Sequence, residues 1–183
     1  MNPIQIAVLV GSLRKHSLNQ KLAQALVKQA PEGYSFKWLA IGDLPLYNQD
    51  DDAAPAATVQ AFKAGLAACQ GVLFVTPEYN RSIPGVLKNA VDHASRPYGQ
   101  SVWAGKPAGV IGVSVGAIGT AMAQQHLRNV LAYLDMPTMG QPEAFVHARE
   151  DLFDAAGDLG EHQRKFLHDW MQRYLDFLKQ SLR

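Results

Sequence analysis

The sequence predicts an α/β fold in which a five-stranded parallel sheet is covered by helices on both faces. Short apolar segments alternate along the chain with segments whose apolar residues repeat at helical spacing, and this alternation is typical of βαβ units. The first of these segments, residues 4–10, is almost wholly apolar, as expected of a parallel strand that is buried on both faces. The length of 183 residues suits a single domain spanning residues 1–183.

The first strand is predicted over residues 4–10, which are β-branched and almost wholly apolar. A fifth strand must lie between residues 137 and 146, where Gly140 and Pro142 obscure the pattern. The other three strands are predicted over residues 35–41, 71–76 and 108–115.

Helical spacing of apolar residues predicts five helices. Ser17 and Gln20 have the spacing of a capping box, so Ser17 is the expected N-cap of the first helix. Pro84 suits the first turn of the third helix. The five helices are predicted over residues 17–28, 56–68, 84–94, 120–134 and 161–182.

Five strands that begin at the N-terminus and alternate with helices fit the flavodoxin-like strand order 2-1-3-4-5. Open sheets of this kind bind ligands at the carboxyl ends of their strands, near the point where the strand order reverses. The loops after the first, third and fourth strands should therefore carry the function.

The composition excludes several classes of protein. The net charge of +1 excludes a strongly basic nucleic-acid-binding surface, and 48% hydrophobic with 18% charged residues argues against disorder. No apolar run approaches the roughly 20 residues of a membrane span, and the N-terminus lacks the pattern of a signal peptide. Cys69 is the single cysteine. It is interpreted as a packed small residue, and a reducing, cytoplasmic location is expected.

The first loop has the chemistry of a phosphate site. Ser12, Ser17 and Asn19 place polar groups at a helix N-terminus, where N–H groups are free and the helix dipole is positive, and Arg14 adds a planar cation. The loop lacks the Gly-Lys-Ser/Thr ending of a Walker A motif and the Gly-x-Gly-x-x-Gly dinucleotide pattern. The alternative is a capped helix beside a solvated Arg14–Lys15 pair.

The other two loops could hold a planar ring. In the second loop, Tyr79 can lie against a ring whose polar edge bonds to the backbone of the turn, and in the third loop Gly116 and Gly119 allow a close backbone approach. The alternative for each loop is an ordinary turn from strand to helix.

The three adjacent carboxylates Asp50, Asp51 and Asp52 are interpreted as a solvated loop and not as a metal site.

These loops resemble those of the NADPH-dependent FMN reductases, most closely the chromate or quinone reductase branch. The resemblance runs in order over residues 4–142. It is carried by Gly11-Ser12-Leu13-Arg14 with Ser17 and Asn19, by Pro77-Glu78-Tyr79-Asn80 with Ser82 and Pro84-Gly85, and by Leu87-Lys88-Asn89-Ala90, Asp92 and Ser95-Arg96-Pro97.

The resemblance implies a role for each matching residue. The FMN phosphate would be held by Ser12, Arg14, Ser17 and Asn19. The isoalloxazine would be held, largely through backbone groups, by Pro77, Glu78, Tyr79 and Asn80, with Ser82 beside them. Ser114 and Gly116 belong to the loop that would border the ring.

The resemblance also implies an enzyme that transfers a hydride from NAD(P)H through bound FMN in a ping-pong scheme. Quinones, azo dyes, chromate or free flavin would be the acceptors, and no dedicated catalytic side chain is needed because the flavin carries the chemistry. A homodimer or homotetramer is expected, with Arg128 and Glu143 as candidate subunit contacts. No nucleic acid or membrane partner is expected.

Two other functions stay open at this point. A flavodoxin-type electron carrier has the same fold and cofactor, although its phosphate loop is usually uncharged and its surface acidic, unlike Arg14-Lys15-His16 and a net charge of +1. A non-enzymatic interaction protein with a vestigial site is the other alternative.

Overall fold

The computed structural model describes residues 3–183 and places all five strands in one parallel sheet. The strand order is β2-β1-β3-β4-β5, which confirms the predicted flavodoxin-like topology. The strands are β1 (Ile4–Val10), β2 (Tyr34–Trp38), β3 (Gly71–Val75), β4 (Ala108–Ser114) and β5 (Phe145–His147).

The register of the central strands brings the predicted functional loops together. Val10 of β1 pairs with Val75 of β3, and Val75 pairs with Ile111 of β4. The first two loops are joined where they leave the sheet, because the N–H of Gly11 donates to the carbonyl of Val75 at 2.9 Å. Strand β4 continues to Ser114, so the third loop begins beyond the end of β3.

Five helices cover the sheet on both faces, and each face has its own apolar core. Helices α1 and α5 share the core of one face, which includes Trp170 and Tyr174, while α2, α3 and α4 share the other, which includes Trp103. None of the helices within residues 3–183 is long and apolar enough to cross a membrane. The helices are α1 (Leu18–Val27), α2 (Ala57–Ala67), α3 (Gly85–Ala94), α4 (Ala121–Tyr133) and α5 (Glu161–Ser181).

A glycine in the sheet makes room for the long C-terminal helix. A Cβ atom on Gly109 would lie 2.7 Å from the ring of Tyr174 on α5, closer than carbon atoms can approach. The ring therefore rests directly on the backbone of β4, and Tyr174 is fully buried. The C-terminal helix, which follows the segment that carries the family resemblance, therefore packs directly on the sheet.

The predicted elements differ from the observed ones mainly at the sheet edges. β2 runs from Tyr34 to Trp38, so it starts one residue earlier and ends three residues sooner than predicted. β5 begins only at Phe145 and extends one residue past the predicted window. The earlier part of that window contains a cis peptide bond before Pro142 and pairs with β4 only through an isolated bridge from Thr138 to Ala108. Edge strands pair on one side only, so a local sequence pattern constrains their ends weakly.

Cys69 is packed, as its position after an alanine-rich helix predicts. It is 1% exposed, and its thiol donates to the carbonyl of Gly65 at 3.3 Å. Burial raises the pKa of the Cys69 thiol, which lowers the fraction of thiolate near neutral pH. These properties fit a small core residue and not a nucleophile.

Candidate functional site

The three loops at the carboxyl ends of β1, β3 and β4 meet at one cleft of about 140 Å³. Larger clefts lie elsewhere, including an open groove of about 590 Å³ that borders Ser12 and continues past Trp38. The cleft between the loops combines the N-terminus of α1, the cation Arg14 and the exposed aromatic side chain of Tyr79. Among the predicted site residues, those that line it are Ser12, Arg14, Ser17, Asn19, Pro77, Glu78, Tyr79 and Ser114.

The first loop ends in a capped helix N-terminus. Ser17 is the N-cap of α1, and its hydroxyl accepts from the N–H of Gln20 at 3.2 Å, as predicted. The first turn of α1 contains no acidic residue. Arg14 is exposed and forms no ion pair with any carboxylate of residues 3–183. The loop therefore offers N–H groups and an uncommitted guanidinium to an anion.

Asn19 is buried and connects the first loop to the third. Its amide nitrogen donates to the carbonyl of Val113 at 2.9 Å, and its amide oxygen accepts from the N–H of Val113 at 3.0 Å. One side chain thus satisfies both backbone groups of a residue in β4. Of the two amide hydrogens, one is committed to this contact, and the other is left for a ligand.

The second loop contains a tight turn that is closed on both sides. Tyr79 and Ser82 exchange backbone hydrogen bonds of 2.9 and 3.0 Å, and Asn80 and Arg81 between them have φ angles of 51° and 68°. The N–H of Tyr79 is therefore used within the turn. Its side chain is 46% exposed and is the part of Tyr79 that can contact a ring.

The side chain of Glu78 bonds to two other elements. One carboxylate oxygen, Oε2, accepts from the N–H groups of Met122 and Ala123 at 3.0 and 3.1 Å. The other, Oε1, accepts from the Arg81 guanidinium at 3.1 Å. The resemblance assigns Glu78 a backbone role at the ring, and the structure adds this side-chain role.

The third loop is held by the hydroxyl of Ser114, which donates to the carbonyls of Gly116 and Gly119. Gly119 has a φ of 62°, and a Cβ there would lie 2.5 Å from the carbonyl carbon of Phe145. Glycine at 119 is thus required by packing against β5, whereas a Cβ on Gly116 would meet only the Ser114 hydroxyl at 3.6 Å. Gly116 remains free for the close approach that the sequence predicts.

Some predicted residues lie beside the cleft and not in it. Asn80 and Ser82 belong to the turn of the second loop, and Gly116 belongs to the third loop, but none of the three lines the cleft. Ser82 Oγ lies 2.7 Å from Nδ1 of His126 on α4. Sequence analysis missed His126, because an exposed histidine on a helix carries no motif. His126 is connected to the second loop by its hydrogen bond to Ser82, which lies 44 residues earlier in the chain.

The chemistry of the cleft fits FMN. A single phosphate matches one helix N-terminus with Ser12, Ser17 and Arg14, and a planar ring matches an open cleft bounded by Tyr79 and the third loop. The residues that could hold the phosphate lie on the first loop, and those that could hold the ring lie on the second and third loops.

The chain matches the family described as NADPH-dependent FMN reductase over residues 4–151. It is 54% identical over 177 residues to a 2-hydroxy-1,4-benzoquinone reductase of Burkholderia sp, covering 96% of this chain and 97% of the relative. It is 50% identical over 175 residues to a quinone reductase of Pseudomonas putida, covering 95% and 94%.

Among solved structures, the flavoenzyme NAD(P)H:(acceptor) oxidoreductase FerB from Paracoccus denitrificans superposes with a TM-score of 0.93 at 44% identity, covering 97% of this chain and 98% of FerB. The family match favours a reductase over an electron carrier and confirms the expected enzyme class and its FMN cofactor. With a family match over most of its length and relatives this similar, the chain belongs to the NADPH-dependent FMN reductase family.

Proposed function

We propose that this protein is a quinone reductase that takes electrons from NAD(P)H and holds FMN in the cleft between its three loops. The observation that carries this proposal is the convergence of the capped α1 N-terminus, Arg14 and the Tyr79 turn on one cleft. Quinones are the favoured acceptors because relatives at 54% and 50% identity are named for quinone reduction. Chromate and azo acceptors, the ping-pong order of reaction and a cytoplasmic location stay predictions.

The residues have separable tasks in this proposal. Ser12, Ser17 and Arg14 bind the phosphate through hydroxyl, helix N–H and guanidinium donors. The turn around Tyr79 and the third loop position the ring and shield its edges from water. When bound, FMN supplies two-electron hydride chemistry between the nicotinamide donor and the acceptor. Backbone N–H groups near the ring favour negative charge there.

The protein should purify with FMN and not FAD, because the cleft offers one phosphate-sized site and no dinucleotide fingerprint. Chromatography of the cofactor released by heat identifies the flavin. Anaerobic stopped-flow mixing with NADPH or NADH then measures reduction, and multiple turnover with a benzoquinone measures the activity. Recovery of FAD, or a lack of binding after reconstitution with excess FMN, contradicts the proposal.

Arg14→Ala should weaken FMN binding by about 1.5–3 kcal/mol, because a charge-assisted hydrogen bond from the guanidinium to the phosphate is lost. Lys15→Ala is the matched control: Lys15 is an exposed cation that does not line the cleft, so its loss should change affinity much less. Fluorescence titration of each apo protein with FMN gives the two dissociation constants. Equal constants for the two variants would mean that the phosphate lies elsewhere.

A homodimer or homotetramer is also proposed. Tyr98 and Tyr133 are 86% and 84% exposed and border the same cleft of about 290 Å³. Arg128 has two buried guanidinium nitrogens, Nε and Nη2, without a hydrogen-bond partner in residues 3–183, and its Nε lies 3.9 Å from Glu143. Burial lowers the pKa of Arg128, and the resemblance makes this side chain and Glu143 candidate subunit contacts.

Light scattering at micromolar protein concentration should give a mass of at least twice the 20.0 kDa of one chain. Tyr133→Glu should shift the mass towards that of the monomer, because a carboxylate replaces an apolar ring at the proposed contact. A monomeric mass for the unmodified protein contradicts the proposed assembly and leaves the FMN site unaffected.

A further inference from the structure

Helix α4 begins without a cap of its own. The residue at its N-cap position, Thr120, is fully buried, and its hydroxyl accepts from the Gln124 side chain at 2.9 Å instead of bonding to the helix N–H groups. The first turn of α4 contains no acidic residue. The first N–H groups of a helix need partners, so this end of α4 requires acceptors from elsewhere in the chain.

Glu78 supplies them from the second loop. Its Oε2 accepts from the N–H groups of Met122 and Ala123, which are the second and third residues of α4 and the usual targets of an N-cap side chain. A carboxylate at this end also interacts favourably with the helix dipole. The Glu78 side chain is only 9% exposed, so water screens these contacts weakly. Glu78 thus caps a helix that begins more than 40 residues later.

The same carboxylate holds the turn that follows it. Asn80 and Arg81 both have positive φ angles, which cost energy in residues other than glycine. Oε1 of Glu78 accepts from the Arg81 guanidinium at 3.1 Å and so ties the second of these residues back to the start of the turn. The carboxylate of Glu78 therefore bonds both to the N-terminus of α4 and to the turn around Tyr79.

We propose that Glu78 is a positioning residue that sets the separation between the second and third loops, and with it the slot for the flavin ring. The second loop contacts the first turn of α4 through Glu78 and the next turn of α4 through the hydrogen bond between Ser82 and His126, and the third loop leads directly into α4 at Ala121. If the carboxylate is removed, the first turn of α4 loses its bonds to the second loop and can shift relative to the Tyr79 turn, while the rest of the sheet stays intact. This inference rests on the proposed FMN site.

The test compares Glu78→Ala and Glu78→Gln with Asp169→Ala, which removes a carboxylate that pairs with Lys165 on the distant helix α5. Amide hydrogen exchange in the apo proteins reports the cap directly: Met122 and Ala123 should exchange faster in Glu78→Ala and at the unmodified rate in Asp169→Ala. Glu78→Gln should fall between, since an amide oxygen can still accept from the helix while its NH₂ cannot accept from Arg81.

FMN titration then measures the affinity for the cofactor, and visible circular dichroism of the bound flavin shows whether the surroundings of the ring have changed. Glu78→Ala should weaken FMN binding about tenfold, the size expected for a displaced hydrogen-bonding surface, and should change the dichroism of the ring. Arg81→Ala should alter the dichroism less and leave exchange at Met122 and Ala123 unchanged, because it removes only the Oε1 contact.

Two results overturn the inference: unchanged exchange of Met122 and Ala123 in Glu78→Ala, or faster exchange with unchanged FMN affinity and dichroism. If Glu78→Ala does not fold, Glu78→Gln decides by the same measurements. Failure of the unmodified protein to bind FMN is a different result. It overturns the proposed function, and the exchange rates still show whether Glu78 caps α4.

Discussion

Trp103→Ala should lower the free energy of unfolding by about 3–5 kcal/mol, the range for truncating a large aromatic side chain in a packed core. Trp103 is 0% exposed and lies in the core shared by α2, α3 and α4. Its ring centroid is 6.4 Å from that of Phe62 and 5.8 Å from that of Phe74. Its indole N–H also donates to the carbonyl of Val91 at 2.9 Å. Alanine would leave a cavity and remove one of the two hydrogen bonds that the carbonyl of Val91 accepts, the other coming from the N–H of Ser95 at 3.2 Å.

Urea unfolding of the apo protein, followed by far-ultraviolet circular dichroism at a fixed protein concentration, measures this loss. Trp38→Ala is the matched control. Two fifths of the Trp38 side chain already lies in solvent, so the same change should cost far less. Trp103→Phe should cost less than Trp103→Ala, since it keeps one aromatic ring in the core while it loses the hydrogen bond and part of the buried volume. A loss for Trp103→Ala no greater than that for Trp38→Ala would contradict this account of the core.

The order of elements could be predicted because it depends on local patterns. A strand buried on both faces is almost wholly apolar, as in Ile4–Val10, and the helices repeat their apolar residues at a period that strands cannot have. The alternation predicts parallel strands joined by crossovers of one hand, and five such strands fit the order 2-1-3-4-5. The positions of the site loops then follow from the topology, since parallel strands place their carboxyl ends at one edge.

The contacts that organise the site could not be predicted from the sequence. Asn19 and Val113 are 94 residues apart, and Glu78 is 44 residues from Met122. Such pairs leave no periodic signal, because the two partners lie in different elements and one of them bonds through a backbone group that every residue has. For this reason Asn19 and Glu78 are assigned to the ligand by their motifs, while the structure shows that their side chains also join the loops to one another.

Asn19→Ala should cost about 2–4 kcal/mol of unfolding free energy, because it leaves two buried backbone groups of Val113 without partners. Asn19 is 3% exposed, and its amide satisfies both the N–H and the carbonyl of Val113. Alanine can make neither bond. Asn19→Leu keeps the volume and loses the same two bonds, so a similar loss for both variants would show that hydrogen bonding and not packing is responsible.

Asn48→Ala is the matched control, since Asn48 also accepts from a backbone N–H, that of Asp50 at 3.2 Å, but does so in an exposed turn where water can replace it. Its cost should be below about 1 kcal/mol. Because Asn19 joins the first turn of α1 to β4 beside the third loop, Asn19→Ala should also weaken FMN binding by more than its one free amide hydrogen explains. The comparison is made by titrating the folded apo protein at a temperature well below its unfolding transition. A stability loss equal to that of Asn48→Ala would contradict the assigned role of Asn19 in connecting the loops.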